Sequence, residues 1–377
     1  MTGTAVTRPR ALFDLHALKQ DLRGATLDAS VALLATGAIF ALLYWRVEAG
    51  TSATIVVMPD LADAPGYWMY WLCQAFGWSG LLWAWITVML GLVRSSRHPG
   101  WLPVSVSRVE RWHRQTSLTT IALMFAHAFW FFAEMVRENR AEAGWAGRVW
   151  RAFVDSFVPG GYGSGTGVVA ILLGLLALYL AIPLGLAFYA RRAMGTRLWR
   201  ALHASIIVVY VLSVWHTLLY GTNVWYDGAF RTTVWLLQLP VAGLLLVRLL
   251  RPAYRPGTTP AARVGRLVGR LAAAATVVVL LLVAATGRDG GRTPNVDGAP
   301  LNVTQAMIWA GFVVFVVVVT GFVVRAHRIS SGRGSPPGGG GTPPGARRAA
   351  RARTARTRGG GHRPGGRAAA VPPSAGE

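Results

Sequence analysis

The chain has 377 residues, of which 53% are hydrophobic and only 14% charged, yet its formal net charge is +23. Soluble domains carry about a quarter charged residues, which argues against an ordinary water-soluble globule and for apolar runs kept apart from charges. Cys73 is the only cysteine, which rules out internal disulfides, zinc ribbons, cysteine-ligated iron–sulfur clusters and dithiol relays, so redox chemistry would need a bound cofactor.

Residues 1–26 are polar, with Asp14 and Asp21 inside the segment and Asp28 just beyond. That is unlike the short basic start of a signal peptide, and the segment is expected to be cytoplasmic. A bilayer core of about 30 Å needs roughly 20 apolar residues in a helix. Runs of this kind fall at 27–45, 70–93, 113–135, 168–190, 199–220, 232–249, 271–285 and 305–324. The seventh is the shortest. Pro183 interrupts the fourth, and Gln238 and Pro240 the sixth; prolines in spans commonly produce kinks that neighbours re-satisfy.

Loop charge orients these spans, because arginine and lysine accumulate on the cytoplasmic side. Arg8, Arg10, Lys19 and Arg23 precede the first span, and Arg94, Arg97, Arg108 and Arg111 join the second to the third. Arg191, Arg192 and Arg197 follow the fourth, and Arg251, Arg255, Arg263, Arg266 and Arg270 follow the sixth. The alternating loops are poorer or mixed, and every loop agrees with both termini inside. From Arg325 the chain is Gly/Pro/Ala/Arg-rich, with eleven arginines against one acid, Glu377. Such a segment cannot bury enough apolar surface to order itself. It is expected to be a disordered cytoplasmic tail at 326–377, attracted to anionic lipid. No nucleic-acid recognition fold accompanies its charge, so no nucleic-acid partner is expected.

Four of the eight histidines lie in just two spans. His113 and His127 are in RWHRQTSLTTIALMFAHAFWFF, and His203 and His216 in RLWRALHASIIVVYVLSVWHTLLYG. Ionisable residues within a span are costly and default to a functional reading. Both helices run from inside to outside, so His113 and His203 fall near the inner end, and His127 and His216 at a similar greater depth. At about 1.5 Å per residue the two levels are roughly 20 Å apart. Two imidazoles at one level can supply both axial ligands of a heme iron, and imidazole is a cheaper guest in lipid than a carboxylate or guanidinium. A 14-residue step returns almost to the same helix face, but a 13-residue step does not at about 100° per residue. The fifth helix is therefore locally distorted, or its two histidines serve sites at different azimuths.

A His-x13-His helix followed two spans later by a His-x12-His helix resembles the ferric reductase-like transmembrane domain. That superfamily includes ferric-chelate reductases, NADPH oxidases and the heme subunit of a methionine sulfoxide reductase system. The arginine-rich approach to the third span and the LWRALH start of the fifth also look like it. The resemblance covers about 27–250, a six-helix heme-binding bundle, and leaves 251–325 as a linker with two extra spans. It implies two b-type hemes, with His113 paired to His203 at an inner heme and His127 to His216 at an outer one. Ferric-chelate reductases and NADPH oxidases typically continue into a flavin- and nicotinamide-binding module. Here no HPF[ST]-like stretch and no G-x-G-x-x-G opening a βαβ unit occurs, and GYGSGTG at 161–167 has the wrong glycine spacing. Neither FAD nor NAD(P) is expected within this chain.

The expected architecture is thus an all-α integral membrane protein of the plasma membrane. Its expected role is electron transfer from a separate flavoprotein reductase or membrane quinol to an outer-face acceptor: ferric iron, oxygen, quinone or a partner enzyme. It would be the heme-binding component of an oxidoreductase, with no catalytic side chain of its own. Heme propionates seek cations, making Arg111, Arg114, Arg197 and Arg200 candidates inside and Arg137 and Arg140 outside. Phe129 and Trp215 adjoin the outer histidines as candidate porphyrin neighbours, and Glu134 is expected as an outward-pointing interfacial carboxylate. Arg94, Arg97, His98, Arg191 and Arg192 form a basic platform for an acidic donor. The alternative is a heme-free transporter or channel using the histidines for metal or protons, which predicts acidic partners within the spans.

Overall fold

The computed structural model describes residues 12–95, 104–141, 144–162, 167–225 and 228–250, with isolated helical positions at 267, 270, 271, 274, 277 and 278. The chain divides into two units, Met1–Ala326 and His327–Glu377, and the second lies outside the described residues. The expected spans at 271–285 and 305–324 and the tail also lie outside them, apart from the isolated positions named.

The described residues are all-helical. Six stretches are long and apolar enough to cross a membrane, so this is a multi-pass membrane protein: Thr26–Glu48, Trp68–Ser95, Val106–Glu138, Gly167–Leu186, Leu198–Tyr220 and Ala229–Arg248. The helices that build them are α2 (Thr26–Glu48), α4 (Trp68–Ser95), α5 (Val106–Glu138), α7 (Gly167–Leu186), α9 (Thr196–Tyr220) and the pair α10 (Ala229–Leu236) and α11 (Gln238–Leu250). Leu33, Leu34 and Leu42 of α2 and Tyr179 and Ile182 of α7 are exposed, as apolar side chains facing lipid are. Pro183 sits inside α7 without breaking it. The sixth span does break, at Leu237. Trp85 braces the junction by donating to the Leu237 carbonyl at 2.7 Å, and Tyr210 donates to Gln238 Oε1 at 2.6 Å.

The spans pack as antiparallel hairpins. The backbone of α5 lies against α4 and that of α9 against α7. α2 crosses the outside of α4, where Thr36 donates to Ser79 Oγ at 2.7 Å and Trp83 donates to Asp28 at 3.1 Å. α5 and α9 do not pack on one another; they face each other across the centre of the bundle, bridged by side chains. Arg94, Arg111, Arg114, Arg191, Arg192, Arg200 and Arg248 gather at one end of this bundle, where α4 and α7 finish and α5 and α9 begin.

Four helices outside the spans were not expected. α1 (Leu15–Gly24) occupies the segment read as merely polar, with Asp14 capping it by accepting from the Ala17 amide at 3.0 Å. Its anchor is Asp21, which accepts from Arg114 Nε at 2.9 Å and Tyr189 Oη at 3.0 Å. Burial, then the Asp21 carboxylate, pushes the Tyr189 phenol above the usual tyrosine range, so at neutral pH it donates to Asp21. α3 (Ala53–Val57) folds into the first loop and α8 (Arg191–Met194) is a single turn before α9. α6 (Gly144–Phe157) is amphipathic, burying Ala152, Asp155 and Ser156 and leaving Trp145, Trp150 and Phe153 exposed.

Candidate functional site

The four histidines of α5 and α9 meet in two pairs. His113 and His203 have ring centroids 5.8 Å apart at 84°, near the arginine-rich end. His127 and His216 are 5.9 Å apart at 72°, deeper in the bundle. These two levels are the pairing expected from the sequence. α9 is a single helix across both of its histidines, and each of them meets its partner on α5. His216 leans on α7, its Nδ1 2.7 Å from the Ala170 oxygen.

Three of the rings are held by backbone carbonyls. His113 Nδ1 lies 2.9 Å from the Thr87 oxygen, His127 Nδ1 2.8 Å from that of Cys73, and His216 Nδ1 2.7 Å from that of Ala170. A carbonyl oxygen only accepts, so each Nδ1 carries the proton and donates. In a neutral imidazole this leaves Nε2 with its lone pair free. Metal-ligating histidines are ordinarily fixed in this way, the second nitrogen tied to a carbonyl or carboxylate. His203 is oriented differently, stacked on Trp199 at 5.5 Å and 16°. His216 has a second support in Tyr220, stacked at 6.0 Å and 6°.

Glycines make room for these rings. A Cβ at Gly91 would stand 3.0 Å from His113 Cε1, one at Gly77 3.1 Å from His127 Nδ1, and one at Gly174 2.9 Å from His216 Nδ1. Gly77 and Gly91 lie on α4 and Gly174 on α7, the helices whose carbonyls take the Nδ1 protons. Close approach and ring orientation therefore come from the same contacts.

The second level opens into a cavity between α4, α5, α7 and α9. It is lined by His127 and His216, by apolar residues such as Phe76, Met124, Phe131 and Leu175, and by Tyr70, Gln74, Ser156 and Tyr220. No formally charged residue is among the described residues lining it. No group of three or more His, Cys, Asp or Glu among the described residues could hold a metal ion. Protein zinc sites take at least three protein ligands, so two facing imidazoles suit an ion whose remaining positions are filled by a macrocycle. A metal–nitrogen bond of about 2 Å on either side, with the ring half-width added, separates two axial imidazole centroids by about 6 Å. Both pairs have that spacing, and the cavity at the second level is lined mostly by apolar residues.

Other expected residues fall differently. Glu134 is not an outward-pointing carboxylate: it is 2% exposed and paired with Arg137. Seven residues beyond His127 it still faces the interior, and Arg137 neutralises it. Arg137 also binds Glu138 at 2.9 Å and lies over the Tyr67 ring, so it is committed away from the cavity. Arg140 and Phe129 are exposed, and Trp215 does not line the cavity. At the first level Arg114 is held by Asp21 and Glu110, Arg94 by Glu110, and Arg111 and Arg200 are exposed. The Arg197 side chain and residues Arg97 and His98 lie outside the described set. Sequence reasoning missed Ser156, Gln74 and the three glycines. Of these only the equal 14-residue intervals Gly77–Gly91 and His113–His127 left a trace in the sequence. Comparisons with protein-family models, with curated proteins and with solved structures find no match to the chain.

Proposed function

We propose that this chain is a di-heme, b-type electron carrier of the plasma membrane. It passes electrons from a donor at the arginine-rich end, taken as cytoplasmic along with both termini, to an acceptor at the outer face. The observation that carries this reading is the two histidine pairs, one at each level, with ring centroids 5.8 and 5.9 Å apart and three of four rings fixed so that Nε2 is free. The histidine pattern shared with ferric reductase-like transmembrane domains supports it. So does the neighbouring chemistry, since the described residues lining the second-level cavity offer no carboxylate for a proton or cation path.

His113 and His203 would hold one iron and His127 and His216 the other. When bound, each heme supplies a one-electron iron couple whose potential its surroundings tune. The Thr87, Cys73 and Ala170 carbonyls hold the rings against rotation, Trp199 and Tyr220 flank them, and the apolar lining excludes water. The donor is a separate flavoprotein reductase or a membrane quinol. The acceptor is ferric iron, oxygen, quinone or a partner enzyme, which makes the chain one component of an oxidoreductase.

The test is an oxidised-minus-reduced optical spectrum of the purified chain, with heme and protein quantified on the same sample. A b-type spectrum at about two hemes per chain is expected from four axial ligands. One heme breaks the two-level assignment, and none after reconstitution returns the histidines to a heme-free transporter or to a structural role between helices.

A further inference from the structure

The second-level chamber has a neighbour across α4. A groove of about 240 Å³ lies between α4, α2 and the broken sixth span, and Trp78 and Leu81 line both spaces. Its lips, Leu42 of α2 and Phe230 of α10, are exposed on the lipid-facing surface, so what enters it comes from the bilayer. Trp78 and Trp85, seven residues apart on one face of α4, line its outer and inner ends, about 10 Å from one another. Phe230 meets Trp78 edge-on at 4.9 Å. Leu43, Leu81 and Leu82 make the wall between, but the ends are polar. At the inner end Tyr210 donates to Gln238 Oε1 at 2.6 Å, and Gln238 gives one N–H to the Val234 carbonyl at 3.1 Å. Its second N–H has no acceptor among the described residues. At the outer end Arg46 donates to the Thr51 carbonyl at 2.6 Å, which occupies one of its five N–H groups. The Trp78 indole N–H, open rather than sealed, has no acceptor among the described residues.

We infer that this groove seats the head group of a membrane quinone, the acceptor that draws electrons from the second level. The assignment rests on the di-heme reading and deepens it by choosing one acceptor. An acyl chain fits the wall but leaves the donors at both ends without acceptors, and an indole N–H in apolar surroundings ordinarily finds one. A quinone has flat faces for Trp78, Trp85 and Phe230, and a carbonyl at each end of its ring within hydrogen-bond reach of donors so spaced. Its tail leaves between Leu42 and Phe230 into the bilayer. The break at Leu237 belongs to the site, because it frees the carbonyl that Trp85 takes at 2.7 Å and sets Gln238 at the inner end. Two electrons, passed singly across α4, and two protons from water at the outer end reduce quinone to quinol, each C=O becoming C–OH. The reductant is the donor at the arginine-rich end.

The experiment is photolabelling of the full-length purified chain with a short-tailed azidoquinone, the labelled peptides being mapped by mass spectrometry. Label is expected on α4 between Trp78 and Trp85 and on α10, displaced by unlabelled quinone and not by excess phospholipid. Leu82→Trp fills the groove from an exposed position that the second-level chamber does not share. It should weaken quinone roughly tenfold, as overpacking does, and Leu42→Trp at the lip should act in the same sense. Quinone should also reoxidise reduced Leu82→Trp roughly tenfold more slowly than wild type, whereas ferricyanide, a soluble oxidant that needs no groove, should oxidise both alike. Unchanged heme content guards against misfolding. Displacement by phospholipid as readily as by quinone makes this an ordinary lipid groove and overturns the assignment, as does label that falls elsewhere or that Leu82→Trp does not reduce. Labelling needs no heme, so a chain that labels at the groove but binds no heme keeps the site and overturns the di-heme reading beneath its redox role.

Discussion

At the first level His113 and His203 are 5.8 Å apart, with Arg94, Arg114 and Arg248 among the charges acting on them. At the second, His127 and His216 are 5.9 Å apart in a chamber whose described lining holds no formal charge. Ring spacing is thus nearly constant while the electrical surroundings change. Spacing decides whether an iron can be held; fixed charge decides how readily it takes an electron. Cations favour the reduced form, so on the proposed di-heme reading a heme at the first level is expected to titrate at the higher potential of the two.

The largest effect that would break the comparison is removal of a ligand. His216→Ala or His127→Ala should take the heme content from about two to about one per chain, sparing the higher-potential component; His113→Ala should spare the lower one. Heme quantification with a redox titration reads both. Loss of both hemes from either single variant would mean that the levels are not separate sites.

Crowding comes next. Gly174→Val puts a branched side chain where even a Cβ would stand 2.9 Å from His216 Nδ1, and overpacking of this kind costs about 1–3 kcal/mol. The second-level heme should be lost or bound loosely, with the first-level spectrum unchanged. Gly77→Ala, at 3.1 Å from His127, should be the milder version.

The electrostatic half is sharpened by Asp21→Asn. It leaves Arg114 uncompensated by its 2.9 Å partner, raising the first-level potential in a redox titration and leaving the second where it was. Asp21 is nearly buried but Arg114 is partly exposed, so solvent screening discounts the pair and the stability loss should be about 1–2 kcal/mol, below the 3–5 of a fully buried pair. Smallest is Tyr189→Phe, which removes one hydrogen bond to Asp21 and should cost about 1 kcal/mol in a thermal melt. A neutral phenol with a raised pKa keeps its contribution below the ordinary tyrosine range, near 10, and loses it only as the pH climbs beyond. The wild-type advantage over Tyr189→Phe should therefore be flat through neutral pH.

The spanning helices were legible because apolar length is a one-dimensional property: all six described spans coincide with runs read directly from the residues. The histidine pairs were legible because a rare side chain in lipid stands out. α1 and α6 were not, because short amphipathic helices beside a membrane look polar in a window tuned to 20 apolar residues. Glu134 was misjudged for a related reason. Its burial depends on Arg137 folding back onto it from one turn further on. Gln74 and Ser156 are ordinary polar residues whose meaning comes only from the chamber that four helices enclose. The break at Leu237 was foreshadowed by Gln238 and Pro240, whereas Pro183 is carried within α7 without interruption.

Gly77 and Gly91 stand opposite His127 and His113 on a neighbouring antiparallel helix, and the two intervals are equal. α4 and α5 therefore behave as two rulers of one pitch laid side by side, in step at both marks. A single residue inserted between Gly77 and Gly91 would turn one mark by about 100° and advance it by about 1.5 Å, so one level would keep its clearance while the other met a side chain. Substitutions between the marks leave the rulers in step; changes of length do not. The interval between these glycines is thus a quantity that sequence drift can colour but not stretch.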